Sequence, residues 1–308
     1  MDEQELNNQY PIISVIIPFF NNQDEVIKIE EKLRNQTYPS TNVELIFIDN
    51  GSDNQFNFPE SFLSRNILLE ESEYVNSPYS ARNRGIEQSK GEVLVFVDAN
   101  STPEENWLEE GVSSLLDSNA DIVGGKVLFD FQDQITAGKI VDALTSINMR
   151  KAIQERDAAY TANLFVKRKV FDEIGLFEEG VRSGGDVRWT LKAKENGFSI
   201  IYCEHAVVRK FARPAGKLYQ KRIRTGKGYY YTWKEETERR IWFYNLLRSL
   251  KPPSVSKIKK LNPDRYQAEF DNYKMGVWFH LYASGILEQL SFLKEYSRSA
   301  FFENRKRD

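Results

Sequence analysis

The chain has 308 residues, 41% hydrophobic and 13% aromatic, and its 42 Lys and Arg nearly balance 45 Asp and Glu. That composition excludes a disordered polyelectrolyte, and the length suits one large α/β domain with a smaller appendage. The single cysteine, Cys203, excludes an intrachain disulfide and fits a reducing compartment; no run reaches the roughly 18 uninterrupted apolar residues of a membrane span.

The polar, acidic start MDEQELNNQYP is not expected to act as a signal peptide. Ile12 to Ile17 is a β-branched run closed by Pro18, which predicts a buried strand. Asn21 or Asn22 then caps a helix from about Asp24 to Asn35, with acids in its first turn. Val43 to Ile48 predicts a second strand ending at Asp49-Asn50-Gly51-Ser52, and Ile67 to Leu69 a third. Pro78 precedes a helix through Ala81 and Ile86 that Gly91 terminates. Val93 to Val97 follows as a strand, and Pro103 opens a helix carrying Trp107, Leu108, Leu115 and Leu116. Strands and helices alternating over short connections predict an α/β fold with a mostly parallel sheet covered on both faces.

Asp121 to Phe131 predicts a further strand, Ile135 to Tyr160 a helix, and Val170 to Ile174 a short helix closed by Gly175. Asp186 to Asn196 reads as a helix stopped by Gly197, and Phe198 to Tyr202 as a strand. Beyond Arg213 the pattern is helical, aromatic and basic, broken at Pro252-Pro253. Val277 to Leu293, which carries His280, Glu288 and Gln289, reads as an amphipathic or core helix. The expected division is an α/β domain over residues 1–213 and a helical extension over 214–308.

Charge is unevenly spread. Residues 205–260 hold sixteen Lys and Arg against three acids, directly after an acidic body. A solvated basic face is one reading of that segment; phosphate contact and an anionic membrane surface are the others. The run LYQKRIRTGKGYYYTWK, which mixes cations with tyrosine and tryptophan, suits either a packed helix or a membrane-facing surface. No nucleic-acid motif accompanies the charge, so nucleic acid is not an expected partner.

Asp49 and Asp98 both end apolar strands and so point into one crevice at the carboxyl edge of the sheet. A carboxylate there accepts a base N–H or coordinates a divalent cation, although Asp also simply forms turns after strands. In SPYSARNRG, Arg82 and Arg84 start a helix, where arginine suits a diphosphate or base, or merely an exposed surface. Ser183-Gly184-Gly185-Asp186 offers a close backbone approach and a candidate base, Asp186, in a position that also suits a helix cap.

Taken in order, IPFFNN, IDNGS, ARNRG, GEVLVFVDANSTPEENWL, ADIVGGKV, TANLFVKRKVFDEIGLFEE and SGGDVRWTLKAKENGF resemble the family 2 glycosyltransferases of GT-A fold, from about Ile12 to Gly228. The resemblance implies an inverting transfer from a UDP- or GDP-linked sugar to a glycan, lipid-linked or small-molecule hydroxyl. By that likeness Pro18, Asp49 and Arg82 line the nucleotide pocket, and Asp98, Ala99 and Asn100 stand where an Asp-x-Asp holds metal and diphosphate. Asp186 matches the general base, with Gly184, Gly185 and Trp189 on the acceptor side. Mg²⁺ or Mn²⁺ at Asp98 is the implied cofactor, and a cytoplasmic setting at the inner face of the membrane the implied location.

Two departures bear on the metal. Asn100 replaces the second acid, and Lys210 stands in HAVVRKFAR where relatives often carry a metal-binding histidine; His205 is five residues away. Lys210, with Arg209 or Arg213, then competes with the metal as countercharge to the diphosphate. A non-catalytic nucleotide-sugar or glycan-binding protein is the alternative of a different class. A nucleotidyltransferase is disfavoured, since Pro18-Phe19-Phe20-Asn21-Asn22 lacks the glycine-rich loop expected after the first strand.

Overall fold

The computed structural model describes residues 10–54, 57–132, 134–233, 251–254, 258, 261 and 267–305. Strand β1 (Ile13–Phe19) leads to helix α1 (Gln23–Arg34), β2 (Val43–Asp49), the short α2 (Glu60–Leu63) and β3 (Ile67–Glu70). Helix α3 (Pro78–Gln88) precedes β4 (Val93–Val97), β5 (Ser101–Pro103) and α4 (Trp107–Asp117). Then come β6 (Ile122–Asp130), α5 (Ala137–Thr145), α6 (Met149–Arg156), β7 (Asn163–Lys167), α7 (Arg168–Ile174), α8 (Gly185–Glu195) and β8 (Ile200–Phe211). Helices α9 (Ala215–Trp233), α10 (Gln267–Asn272) and α11 (Lys274–Arg305) complete the described elements.

The strands form one sheet in the order β3-β2-β1-β4-β7-β6-β8-β5. The first four run parallel, so Asp49, Glu71 and Asp98 emerge along one carboxyl edge. Strand β7 pairs antiparallel to β4 with Asn163 opposite Val97, which brings the start of β7 to that same edge. Strand β5 pairs antiparallel to β8 with Ser101 opposite Lys210. The expected α/β architecture with its parallel sheet is present, and both faces are covered. In β4, Val93, Val95 and Val97 join one apolar cluster while Leu94 and Phe96 join the other. A fully buried run without polar alternation is what a central strand packed on two sides requires.

Pro18 lies inside β1, opposite Ile48, instead of ending the strand. The β4 partners of β1 stop at Ile16, so Pro18 sits where only one neighbour pairs with it, and a missing N–H is tolerated there. The expected Ile135 to Tyr160 helix is two helices, each started by a capping side chain: Thr136 accepts from the Lys139 N–H, and Asn148 from that of Lys151. Phe198 to Tyr202 is the front of the longer strand β8. Residues 101–103, read as leading into a helix, form β5, and the helix starts at Trp107.

The chain divides into two compact units. One contains the described residues up to Leu128 together with Ile147–Lys210; the other contains Phe129–Ser146 and the described residues from Phe211 onward. In the second unit Ile140, Val141, Leu218, Ile258, Phe270 and Val277 form the core. Helix α9 crosses α11 so closely that a Cβ on Gly226 would lie 2.1 Å from the Glu288 carbonyl oxygen. Cations of the basic segment are spent inside this unit: Arg213 and Lys221 flank the fully buried Asp142, and Arg222 pairs with Glu288 at 3.2 Å. The side chains of Tyr229 to Trp233, and Lys234 itself, lie outside the described residues, as does the acidic start of the chain. Among the described residues no helix is long and apolar enough to cross a membrane.

Candidate active site

Helix α3 ties the site together. Ser77 caps it by accepting from the Ser80 N–H, Pro78 occupies its first position, and Gly85 lets it press onto the sheet. A Cβ on Gly85 would lie 2.7 Å from Ile16. Docked this way, the helix aims two side chains at two carboxylates. Tyr79 donates its hydroxyl to Asp186 Oδ1 at 2.9 Å, and Arg82 donates Nη2 to Asp98 Oδ1 at 2.8 Å.

Asp98 follows β4 directly, and its carbonyl accepts from the Ser101 N–H at 3.0 Å, closing a turn over Ala99 and Asn100. Ala99 is buried and Asn100 exposed. The turn feeds β5, and the β5–β8 register delivers Lys210 to the same carboxylate: Nζ lies 2.6 Å from Asp98 Oδ2 and 3.3 Å from Ser101 Oγ. Both cationic side chains are sequestered, with 4% of Arg82 and 2% of Lys210 exposed. Arg209, the neighbouring residue, is taken by Glu104 at 2.8 Å, and Arg213 by Asp142. His205 is exposed and about 16 Å along the strand from Lys210 at the usual rise per residue. Of the basic residues read from the sequence as countercharges, Lys210 is placed on Asp98.

These residues do not fit a divalent cation as arranged. Each oxygen of Asp98 faces a buried cation, Asn100 supplies no charge, and no cluster of three or more His, Cys, Asp or Glu able to hold a metal occurs among the described residues. Two unit charges of like sign about 4 Å apart repel by about 4 kcal/mol at an effective dielectric of 20, and a divalent ion doubles that.

Asp186 sits in the first turn of α8, 8% exposed, with four donors on its two oxygens. Besides Tyr79, these are the Val187 N–H at 2.9 Å, the Thr161 N–H at 3.1 Å and the Thr161 hydroxyl at 3.3 Å. Four donors match the four lone-pair sites of a carboxylate. Burial, and then the charge of Asp186, push the Tyr79 phenol well above its ordinary value, so it remains a donor at working pH. Both glycines before Asp186 are required by geometry. Gly184 adopts φ +83°, and a Cβ on Gly185 would lie 2.8 Å from the Tyr79 ring.

Asp49 ends β2 and accepts the Ser52 N–H at 2.9 Å, holding the Asn50-Gly51 turn. Asn21 clasps that turn from the other side: its N–H donates to Ser52 Oγ at 2.9 Å and its Nδ2 to Asp53 at 2.7 Å. Asn50, buried at the same edge, leaves Oδ1 without a hydrogen-bond partner. These groups gather where β1 and β2 end.

Several residues read as ligands prove structural. Pro18 is buried within β1. Trp189, expected beside the acceptor, is 3% exposed, stacks on Phe171 with ring centroids 4.1 Å apart and donates its ring N–H to the Gly175 carbonyl. It lies three residues beyond Asp186 on the same side of α8, one turn further along, where it packs into the apolar core. Arg84 binds Glu71, Glu73 and Glu87. Glu71, buried and unnoticed in the sequence, also accepts the N–H groups of Glu73 and Tyr74 and so shapes the loop before α3. Thr161 was missed as well. Nothing in its local pattern signals a partner 25 residues away.

Residues 14–175 match the model of glycosyl transferase family 2. The chain is 36% identical over 233 residues to glycosyltransferase AglE of Haloferax volcanii, covering 74% of this chain and 76% of that one. Over 117 residues it is 30% identical to glycosyltransferase GlyG of Streptococcus pneumoniae, covering 37% of this chain and 38% of GlyG. Among solved structures it is similar to a mannosyltransferase from Pyrobaculum calidifontis in complex with GDP-Man and Mn²⁺, with TM-score 0.62 and 19% identity over 92% of this chain and 87% of that one. It is also similar to residues 1–349 of S. aureus TarS in complex with UDP, with TM-score 0.51 and 16% identity over 94% and 91% of the two chains. The chain belongs to glycosyl transferase family 2. It is a glycosyltransferase with the GT-A fold. Asp186 and Lys210 both lie beyond the stretch that the family model matches.

Proposed function

We propose that this glycosyltransferase moves a sugar from a UDP- or GDP-linked donor to an acceptor hydroxyl in one displacement, inverting the anomeric centre. The observation that carries the reading is the pairing of two carboxylates by one helix, Asp98 through Arg82 and Asp186 through Tyr79. On this reading Asp49 and Asn50 face the base, Asn100 stands at the diphosphate turn with Asp98, and Gly184 and Gly185 open the acceptor side.

Asp186 serves as general base. As the acceptor oxygen bonds to the anomeric carbon, its proton passes to Asp186 and the bond from that carbon to the diphosphate oxygen breaks. Thr161 Oγ1 makes the longest of the four contacts to Asp186, at 3.3 Å, and is the donor an acceptor hydroxyl displaces. The cations beside Asp98 stabilise charge that builds on the departing phosphate. A glycan or lipid-linked acceptor in cell-envelope or polysaccharide synthesis suits the relatives, which include a poly(ribitol-phosphate) β-N-acetylglucosaminyltransferase of Staphylococcus aureus. A cytoplasmic protein in peripheral contact with the inner face of a membrane suits such an acceptor.

The test is Asp186→Asn, assayed for nucleotide binding and for transfer with UDP- and GDP-sugars. Retained binding with turnover reduced by about 10²–10⁴ is expected of a lost general base. Equal turnover in the variant removes the assignment. Nucleotide binding without transfer in the native chain, across donors and acceptors, supports a binding protein instead.

A further inference from the structure

We infer that this enzyme holds its donor diphosphate without a divalent cation, the buried Lys210 ammonium supplying the countercharge. The inference rests on the nucleotide-sugar reading above and adds how that site handles charge.

The strand register builds the arrangement. Ser101 pairs with Lys210 across β5 and β8, so the lysine is delivered beside the residue that ends β4. Its Nζ lies 2.6 Å from Asp98 Oδ2, while Arg82 takes Oδ1 at 2.8 Å. Two buried cations thus flank this one carboxylate. Such a site attracts a diphosphate and repels a metal ion. Asp98 is the internal counterion that holds the two buried cations in place, and at 35% exposure it is the group a bound diphosphate displaces from Lys210. An ammonium is a compact point charge well suited to phosphate oxygen. When the anomeric bond breaks, its electron pair moves onto the phosphate oxygen, and Lys210 with Arg82 meets the charge formed there. No co-reactant is needed, and the acceptor proton remains on Asp186.

The experiment is calorimetric titration of the full chain with UDP, GDP, ADP, CDP and dTDP, in EDTA and again in excess Mn²⁺. Equal affinity within about twofold in both buffers is expected for the preferred nucleotide. Lys210→Ala should weaken binding in EDTA at least tenfold, and Lys210→Arg should restore most of it. Circular dichroism confirms that each variant is folded. Independently of any variant, the electron paramagnetic resonance signal of free Mn²⁺ should be unchanged by native protein and nucleotide together. Binding that appears only with Mn²⁺, or native affinity in folded Lys210→Ala, overturns the inference and leaves the nucleotide reading standing. Binding of none of the nucleotides in either buffer overturns both.

Discussion

Tyr79 and Arg82 stand three residues apart on one helix, with the guanidinium carbon of Arg82 5.6 Å from the Tyr79 ring centroid, and each holds one of two carboxylates. Residues at that spacing share a helix face, so a single element sets the separation of Asp98 and Asp186. On the proposed reading, the donor and acceptor sides are thereby referred to one helix.

The first consequence concerns the hydroxyl of Tyr79. Tyr79→Phe keeps the ring against Phe177 and Gly185 but removes the donor to Asp186. A stability loss of about 2 kcal/mol is expected in denaturant unfolding, the net worth of one hydrogen bond to a charged group. Turnover should fall by about tenfold while the Kd for nucleotide stays unchanged. A change in nucleotide affinity equal to the loss in turnover would contradict the division of labour along the helix.

Thr161→Ala probes the acceptor contact. If the Thr161 hydroxyl is the group that gives way, its removal leaves the backbone donor in place and opens one lone pair of Asp186. Steady-state kinetics should show kcat within about threefold of native and an unchanged or lower acceptor KM, whereas Asp186→Asn loses about 10²–10⁴. A loss in Thr161→Ala as large as that in Asp186→Asn would make the threonine essential in its own right.

Gly185→Ala forces a methyl into the Tyr79 ring. Overpacking of this kind costs about 1–3 kcal/mol, so a lower Tm is expected, with reduced transfer because Asp186 is the next residue. Native Tm in that variant would show that the close approach is relaxed in solution.

Much of this was legible in the sequence. The β4 strand ends at Val97 as read, because a run of five apolar residues meets an acid, and Asp186 lies in the first turn of its helix, which begins one residue earlier than read, at Gly185. What escaped was set by pairing across long separations. Strand β5 has three residues, and Lys210 reaches Asp98 only because that strand pairs with a partner more than a hundred residues on. The split between α5 and α6 was available in the capping residues Thr136 and Asn148 but was masked by continuous helical composition. Trp189 was placed on the acceptor side by family likeness alone; it shares the side of α8 that carries Asp186 but packs against Phe171 and Phe177.

The second unit carries a pH dependence of its own. Burial acts to raise the Asp142 carboxyl, but Lys221 and Arg213, with hydrogen bonds from Ser146 and the Arg213 N–H, outweigh it and hold the group below its ordinary value of 3.8. A depressed carboxyl contributes stability that is complete above that ordinary value and is lost as pH falls below it through the folded value. Asp142→Asn should therefore lower stability at neutral pH, by about 3 kcal/mol for a buried pair broken on one side, and flatten the acid limb. Acid titration of the unfolding midpoint checks both. An unchanged acid limb would mean that other carboxyls set it.

The anomeric configuration of the first-formed product separates the readings most directly. With an α-linked donor sugar that supports turnover, proton NMR of the anomeric signal within the first turnovers should show the β product, formed about 10²–10⁴ more slowly by Asp186→Asn. A product that retains the α configuration would contradict single displacement with Asp186 as base.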